Sequence, residues 1–190
     1  MLRGKDVAHA AEIVRSGGVI AYPTETVYGI GALAGDPEAV RKVFRLKDRP
    51  ASLPLSIAVS SLEMLRAVAR VEHEDFIRRF LPGPVTVILK KKGSLPDVLT
   101  AGSDSVGIRY PDHPLALDLI GRTGPIVSTS ANLHGQPDPV TAEQVTVDVD
   151  YVLDGGRCRY AGPSTIVDLS AYRVVRKGVM YDEVCRFLRG

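Results

Sequence analysis

Tryptophan is absent from the 190 residues and phenylalanine occurs only four times, so aliphatic side chains and alanine must fill whatever core the chain builds. Cysteine is as scarce. Cys158 and Cys185 form at most one bridge and no metal-ligand spacing, which excludes a disulfide-stapled miniprotein and fits a reduced, cytoplasmic protein. No apolar run approaches the length of a membrane span; the best, Val85-Thr86-Val87-Ile88-Leu89, is strand-sized, so no membrane partner is expected. Met1–Asp6 runs straight into a helical pattern, and no signal peptide is read there. Charge of one sign is missing too. The 24 basic and 22 acidic residues nearly cancel, which excludes whole-molecule attraction to nucleic acid and leaves room only for a local basic patch.

Common catalytic signatures are also absent. The sequence has no Gly-x-x-x-x-Gly-Lys-Ser/Thr loop, no Gly-x-Ser-x-Gly elbow and no His-Glu-x-x-His. Gly29-x-Gly31-x-x-Ala34 fits a relaxed dinucleotide fingerprint, but the helix that should open inside that motif starts after it, at Asp36-Pro37. The four histidines are scattered, and no serine sits beside an evident base.

What is present reads as one α/β domain over residues 1–190, with neither repeats nor a long linker. Asp6 caps a helix that Gly17-Gly18 ends, and Asp36 caps a second with Pro37 at its first position and Pro50 beyond its end. Further helices are predicted near 62–69, 74–80, 114–122, 141–145 and 181–188. Strands are predicted at 19–22, 55–59, 85–90, 106–110, 126–129, 151–153, 165–169 and 173–176. Only Ser170-Ala171-Tyr172 separates the last two strands, a hairpin-sized gap. A twisted, open, mixed sheet with helices on its faces is therefore expected in place of an all-parallel one.

Hydroxyl, arginine and glycine residues gather at the ends of these strands. In Pro23-Thr24-Glu25-Thr26-Val27-Tyr28-Gly29, an extended backbone would set Thr24, Thr26 and Tyr28 on one face. Lys47 and Arg49 stand where a helix ends, suited both to the helix C-terminus and to a phosphate clamp. Arg109 closes an apolar strand, where a buried cation needs an anionic partner, either a structural carboxylate or that of a substrate. Ser128 and Ser130 share a face with Asn132 just beyond, and Ser164 and Arg176 repeat the arrangement. Their common placement predicts one concave site on which several loops converge.

Taken together, Pro-Thr-Glu-Thr-Val-Tyr-Gly (23–29), Lys-x-Arg-Pro (47–50), Pro-Leu-Ser-Ile (54–57), Pro-Gly-Pro-Val-Thr (82–86), Val-Gly-Ile-Arg-x-Pro-x-His-Pro (106–114), Ser-Thr-Ser-Ala-Asn (128–132) and Ser-Thr-Ile-Val-Asp (164–168) resemble the YrdC-like family, in family order. The resemblance implies a YrdC-like fold with a large concave cavity. It also implies the activity of a nucleotidyltransferase, threonylcarbamoyl-AMP synthase, which joins L-threonine, bicarbonate and ATP and releases pyrophosphate, with Mg2+ accompanying the nucleotide. A downstream transferase would place the product on adenosine 37 of ANN-decoding tRNAs. Carried over by position, Thr26, Arg109, Ser128 and Ser164 would surround threonine, and Lys47, Arg49, Ser105, Ser130 and Arg176 would surround ATP, with Lys47 and Arg49 acting in catalysis. No protein-held metal is implied. The chain departs from the family pattern at Leu53, Ala58 and Asp138, where many relatives have Asn, His and Ser, and it resembles the short, single-domain form. Direct binding of double-stranded RNA or tRNA is the alternative reading: 17 of the 24 basic residues are Arg, although no basic-aromatic motif accompanies them.

Overall fold

A computed structural model describes residues 1–93 and 95–190. Among these residues ten strands form one mixed sheet: β1 (Leu2–Gly4), β2 (Ile20–Tyr22), β3 (Gly29–Gly31), β4 (Ser56–Ala58), β5 (Val85–Lys90), β6 (Ser105–Arg109), β7 (Ile126–Ser130), β8 (Tyr151–Leu153), β9 (Thr165–Asp168) and β10 (Arg173–Arg176). Their order across the sheet is β1-β8-β2-β3-β7-β4-β6-β5-β9-β10. Four pairs are parallel (β1/β8, β2/β8, β4/β6, β5/β9) and the other five are antiparallel, and β9 and β10 form the expected hairpin.

The helices are α1 (Val7–Arg15), α2 (Pro37–Lys47), α3 (Leu62–Val68), α4 (Glu74–Phe80), α5 (Asp97–Thr100), α6 (Pro114–Thr123) and α7 (Tyr181–Leu188). The predicted helix at 141–145 is a single 3-10 turn over Ala142–Gln144. Capping follows the sequence closely: Asp6 accepts from the His9 amide and Asp36 from the Glu38 amide. Asp48, at φ 48°, turns the chain out of α2 two residues before Pro50. Among the described residues no helix is long and apolar enough to cross a membrane.

Period-two alternation divides the sheet into two unlike faces. One face presents Ala21, Ile30, Ile57, Val87, Ile108, Val127 and Val167 to the main core, where α2, α3, α4, α5 and α7 supply Val40, Leu65, Phe76, Leu99 and Val184. The other presents Ile20, Tyr22, Ala58 and Ile126 to α1 and α6, which bring Ala10, Val14, Leu119 and Ile120. Two helices cannot cover a sheet ten strands wide. Beyond them the same face changes from apolar to polar: Ile126 gives way to Ser128 and Ser130, and neighbouring strands contribute Ser56, Thr86 and Arg109. Gly107 keeps the strands close here, since a Cβ at that position would lie 2.4 Å from Ser56 Oγ.

Candidate active site

The uncovered part of this face is a cavity of about 400 Å³. The loop after β2 supplies Thr24 and Thr26, and the end of α2 supplies Lys47 and Arg49. Arg109, Ser128, Ser130 and Arg176 arrive from β6, β7 and β10, and Ser164 from the position just before β9. Of the nine residues carried over from the family pattern, only Ser105 does not line the cavity. It shares the strand face of Arg109 but stands four residues away, about 13 Å along β6, with its Oγ directed to Asp104. It can meet only a ligand that extends past the cavity.

Residues 23–28 are not extended. Thr24 Oγ1 accepts from the amides of Thr26 (3.1 Å) and Val27 (3.2 Å), closing a hydroxyl turn. That turn leaves Thr24 and Thr26 at the cavity, their hydroxyls 2.8 Å apart, and sends Tyr28 into the main core. Tyr28 Oη donates to Gly156 O at 2.8 Å, so the shared face expected for Thr24, Thr26 and Tyr28 does not form.

At one end of the cavity stands Arg109, 5% exposed. Its Nη1 donates to Gly83 O (2.6 Å) and Val85 O (3.1 Å), and its Nη2 donates to Glu25 Oε1 at 2.5 Å. Glu25 is itself 2% exposed, so the anionic partner that a buried arginine requires is a carboxylate of the chain. Thr26 Oγ1, 3.5 Å from Nη2, marks the guanidinium edge nearest the cavity. Sequence reasoning missed Glu25 because it lies between two threonines in a loop and meets Arg109 only through the fold. The signal was available, since an arginine ending an apolar strand calls for a carboxylate and Glu25 lies beside one of the hydroxyl clusters.

At the opposite end, Lys47 is 2% exposed and has no salt bridge among the described residues. Its Nζ donates to Ser130 O (2.5 Å), Asn132 O (2.7 Å) and Asn132 Oδ1 (3.1 Å), which uses all three of its protons. Its pKa is pulled down to about 8, first by burial and then by the nearby Arg49, with Asp138 opposing both. Arg49 is held differently. Nε and Nη2 donate to Leu53 O (3.2 Å) and Pro54 O (3.0 Å), and among the described residues nothing accepts from Nη1, which leaves a donor edge for an incoming anion.

Ser164 and Arg176, assigned by the family pattern to different ligands, are bonded to each other. Arg176 Nη2 donates to Ser164 O (2.8 Å) and Oγ (3.2 Å), while Ser164 Oγ also meets Thr86 Oγ1 at 2.7 Å. Of the three departures from the pattern, Ala58 is packed in the smaller core and Leu53 is exposed with its carbonyl on Arg49. Only Asp138 lines the cavity, and it is the sole carboxylate among the described lining residues.

The family model described as telomere recombination (Sua5, YciO, YrdC) matches residues 12–178. The chain belongs to the Sua5/YciO/YrdC family. Within this family it is 42% identical over 171 residues to a threonylcarbamoyl-AMP synthase of Pyrococcus abyssi, a match that takes in 86% of this chain and 50% of the relative. It is 37% identical over 177 residues to the corresponding synthase of Stutzerimonas stutzeri, covering 90% and 96%. The chain thus spans about half the length of the Pyrococcus and Bacillus subtilis relatives and nearly all of the Stutzerimonas one. Among solved structures, P. abyssi Sua5 complexed with L-threonine superposes with a TM-score of 0.91 at 37% identity, covering all of this chain and 60% of that one. Escherichia coli YciO follows at 0.78 and 29%, covering 94% of each. The mixed, open sheet of this chain is therefore the family fold.

Proposed function

We propose that the chain is an L-threonylcarbamoyladenylate synthase, and that its cavity holds L-threonine at the Arg109 end and ATP at the Lys47–Arg49–Arg176 end. The observation that carries this reading is the division of one cavity between a hydroxyl-lined end, with a carboxylate-paired arginine, and an end with Lys47, Arg49 and a single carboxylate, with Arg176, bonded to Ser164, between them. The first suits a small zwitterion bearing a hydroxyl, and the second a polyphosphate. The solved relative that contains L-threonine supports the same reading.

In this mechanism the neutral amine of threonine attacks CO2 and gives up a proton to solvent, or attacks bicarbonate and expels water, to form a carbamate. A carbamate oxygen then attacks the α-phosphorus of ATP, the bond to the β-phosphate oxygen breaks, and pyrophosphate leaves. Carbamates decompose in water, so the cavity's contribution is to hold both partners together and restrict solvent. Lys47, and Arg49 through its open Nη1 edge, stabilise the negative charge that accumulates on the leaving group. Among the described residues no group of three or more His, Cys, Asp or Glu side chains could hold a metal ion. Mg2+ would accompany ATP as part of the substrate and offset phosphate charge. Transfer of the product to adenosine 37 of tRNA falls to a separate enzyme.

Incubation with ATP, Mg2+, L-threonine and labelled bicarbonate should yield a threonine-dependent labelled adenylate together with pyrophosphate; absence of both would refute the assignment. Arg49→Ala should abolish most turnover while leaving the melting curve nearly unchanged, because only two carbonyl contacts at the surface are lost. Serine should remain a weak substrate, since one methyl group in a pocket is worth roughly 1–3 kcal/mol of discrimination. Equal use of the two amino acids in a competition assay would contradict the threonine pocket.

A further inference from the structure

Asp138 is the one carboxylate among the described residues that line the cavity, set among cations proposed to bind phosphate. Asn132 is 4% exposed, and its side-chain amide lies between two groups that allow only one orientation. On one side Lys47 Nζ, which can only donate, lies 3.1 Å from Asn132 Oδ1. On the other, Asn132 Nδ2 donates to Gln136 O and, at 3.3 Å, to Asp138 Oδ1, and an ionised carboxylate can only accept. The amide is pinned from both ends, with its carbonyl on the ammonium.

We propose that Asp138 is a positioning residue for Lys47: together with Gln136 O it holds the Asn132 amide in the orientation that receives the ammonium, and it places a carboxylate one side chain away from the buried lysine. The charged groups around Lys47 are few. Arg49, next but one in the chain, opposes its charge; Asp138 favours it; and the 130–132 segment presents only neutral oxygens. His134 and Arg176 line the same cavity, and the His134 backbone amide donates to Lys47 O at 2.9 Å. Asp138 also favours the charge on Arg176, so one carboxylate serves two cations. Serine at this position would satisfy the amide of Asn132 but would bring no charge.

The test is a titration of Lys47 itself, without nucleotide, by NMR of side-chain-labelled lysine, with the resonance assigned by its loss in Lys47→Arg. Asp138→Asn retains an oxygen for Asn132 and removes only the charge. It should lower the Lys47 midpoint from about 8 by on the order of half a pH unit or more. Asp138→Leu, which removes the acceptor as well as the charge, should lower it further, and that extra shift should vanish in an Asn132→Ala background. An unmoved midpoint in Asp138→Asn overturns the proposal, and an extra shift that persists without Asn132 overturns its route through that amide. The nucleotide arm rests on the functional reading above. With MgATP as the probe, the alkaline loss of affinity should move to lower pH in Asp138→Asn. A wild-type protein that binds no MgATP would refute the functional reading, while the lysine titration would still decide the role of Asp138.

Discussion

The two ends of the cavity each bury a cation, and they stabilise it by opposite means. Arg109 is neutralised by Glu25, a carboxylate buried as deeply as itself. Lys47 is surrounded by carbonyl oxygens that satisfy its protons and leave its charge uncancelled. The Arg109 end is therefore close to neutral and rigid, suited to a zwitterion whose charges already balance. The Lys47 end keeps net positive charge in a place of low dielectric, where an arriving polyphosphate gains most. Burial of a cation thus says little by itself; what matters is whether its partner is charged.

The comparison is broken most directly at Glu25. Glu25→Ala leaves the Arg109 guanidinium buried without its counter-charge and should cost about 3–5 kcal/mol, read as a lower urea midpoint. Adding Arg109→Met should restore much of that loss, because a neutral pair no longer needs the carboxylate. A Glu25→Ala variant as stable as wild type would show that the Arg109 end is not held by charge. At the other end Lys47→Met should change stability by less, about 1–2 kcal/mol. It removes a costly buried charge but also strands the oxygens of Ser130 and Asn132, so its main effect should be loss of MgATP affinity. A larger stability loss than for Glu25→Ala would invert the ranking.

The effect of pH is the most particular. The folded-state pKa of Lys47 lies near 8, below the ordinary lysine value of 10.5. Below pH 8 both folded and unfolded forms carry the proton, and the cost of burying the charge is fully present. Between about 8 and 10.5 the unfolded chain holds more protons, so this lysine makes the fold more stable as pH rises. MgATP affinity should fall over the same alkaline range. Denaturation of wild type and Lys47→Met in parallel from pH 7 to 10 should show wild type gaining relative to the variant, and parallel curves would remove the depressed lysine.

Much of this architecture was legible beforehand because it is written locally. The caps Asp6 and Asp36, the strand Val85–Lys90 and the helix Tyr181–Leu188 appear where propensity and period place them. The strands β1 and β3 and the short helix α5 did not. Gly29-Ile30-Gly31 has poor strand propensity and pairs only because Ile20–Tyr22 and Ser130 lie on either side of it. The site followed the same rule. Residue types at strand ends pointed to a shared cavity, whereas the partners within it, Glu25 for Arg109 and Asn132 for Lys47, are 84 and 85 positions apart in sequence and become neighbours only in the fold.

The order of the sheet has a consequence for how the protein comes into being. β8 lies between β1 and β2, so the first two strands to leave the ribosome have no place beside each other until residues 151–153 arrive. The cavity closes later still, when Ser164 and Arg176 join a wall begun at Thr24. If the cavity takes nucleotide as proposed, binding would then report on completed synthesis: a nascent chain lacking β10 lacks Arg176, one of the cavity's cations, however well its earlier helices have formed.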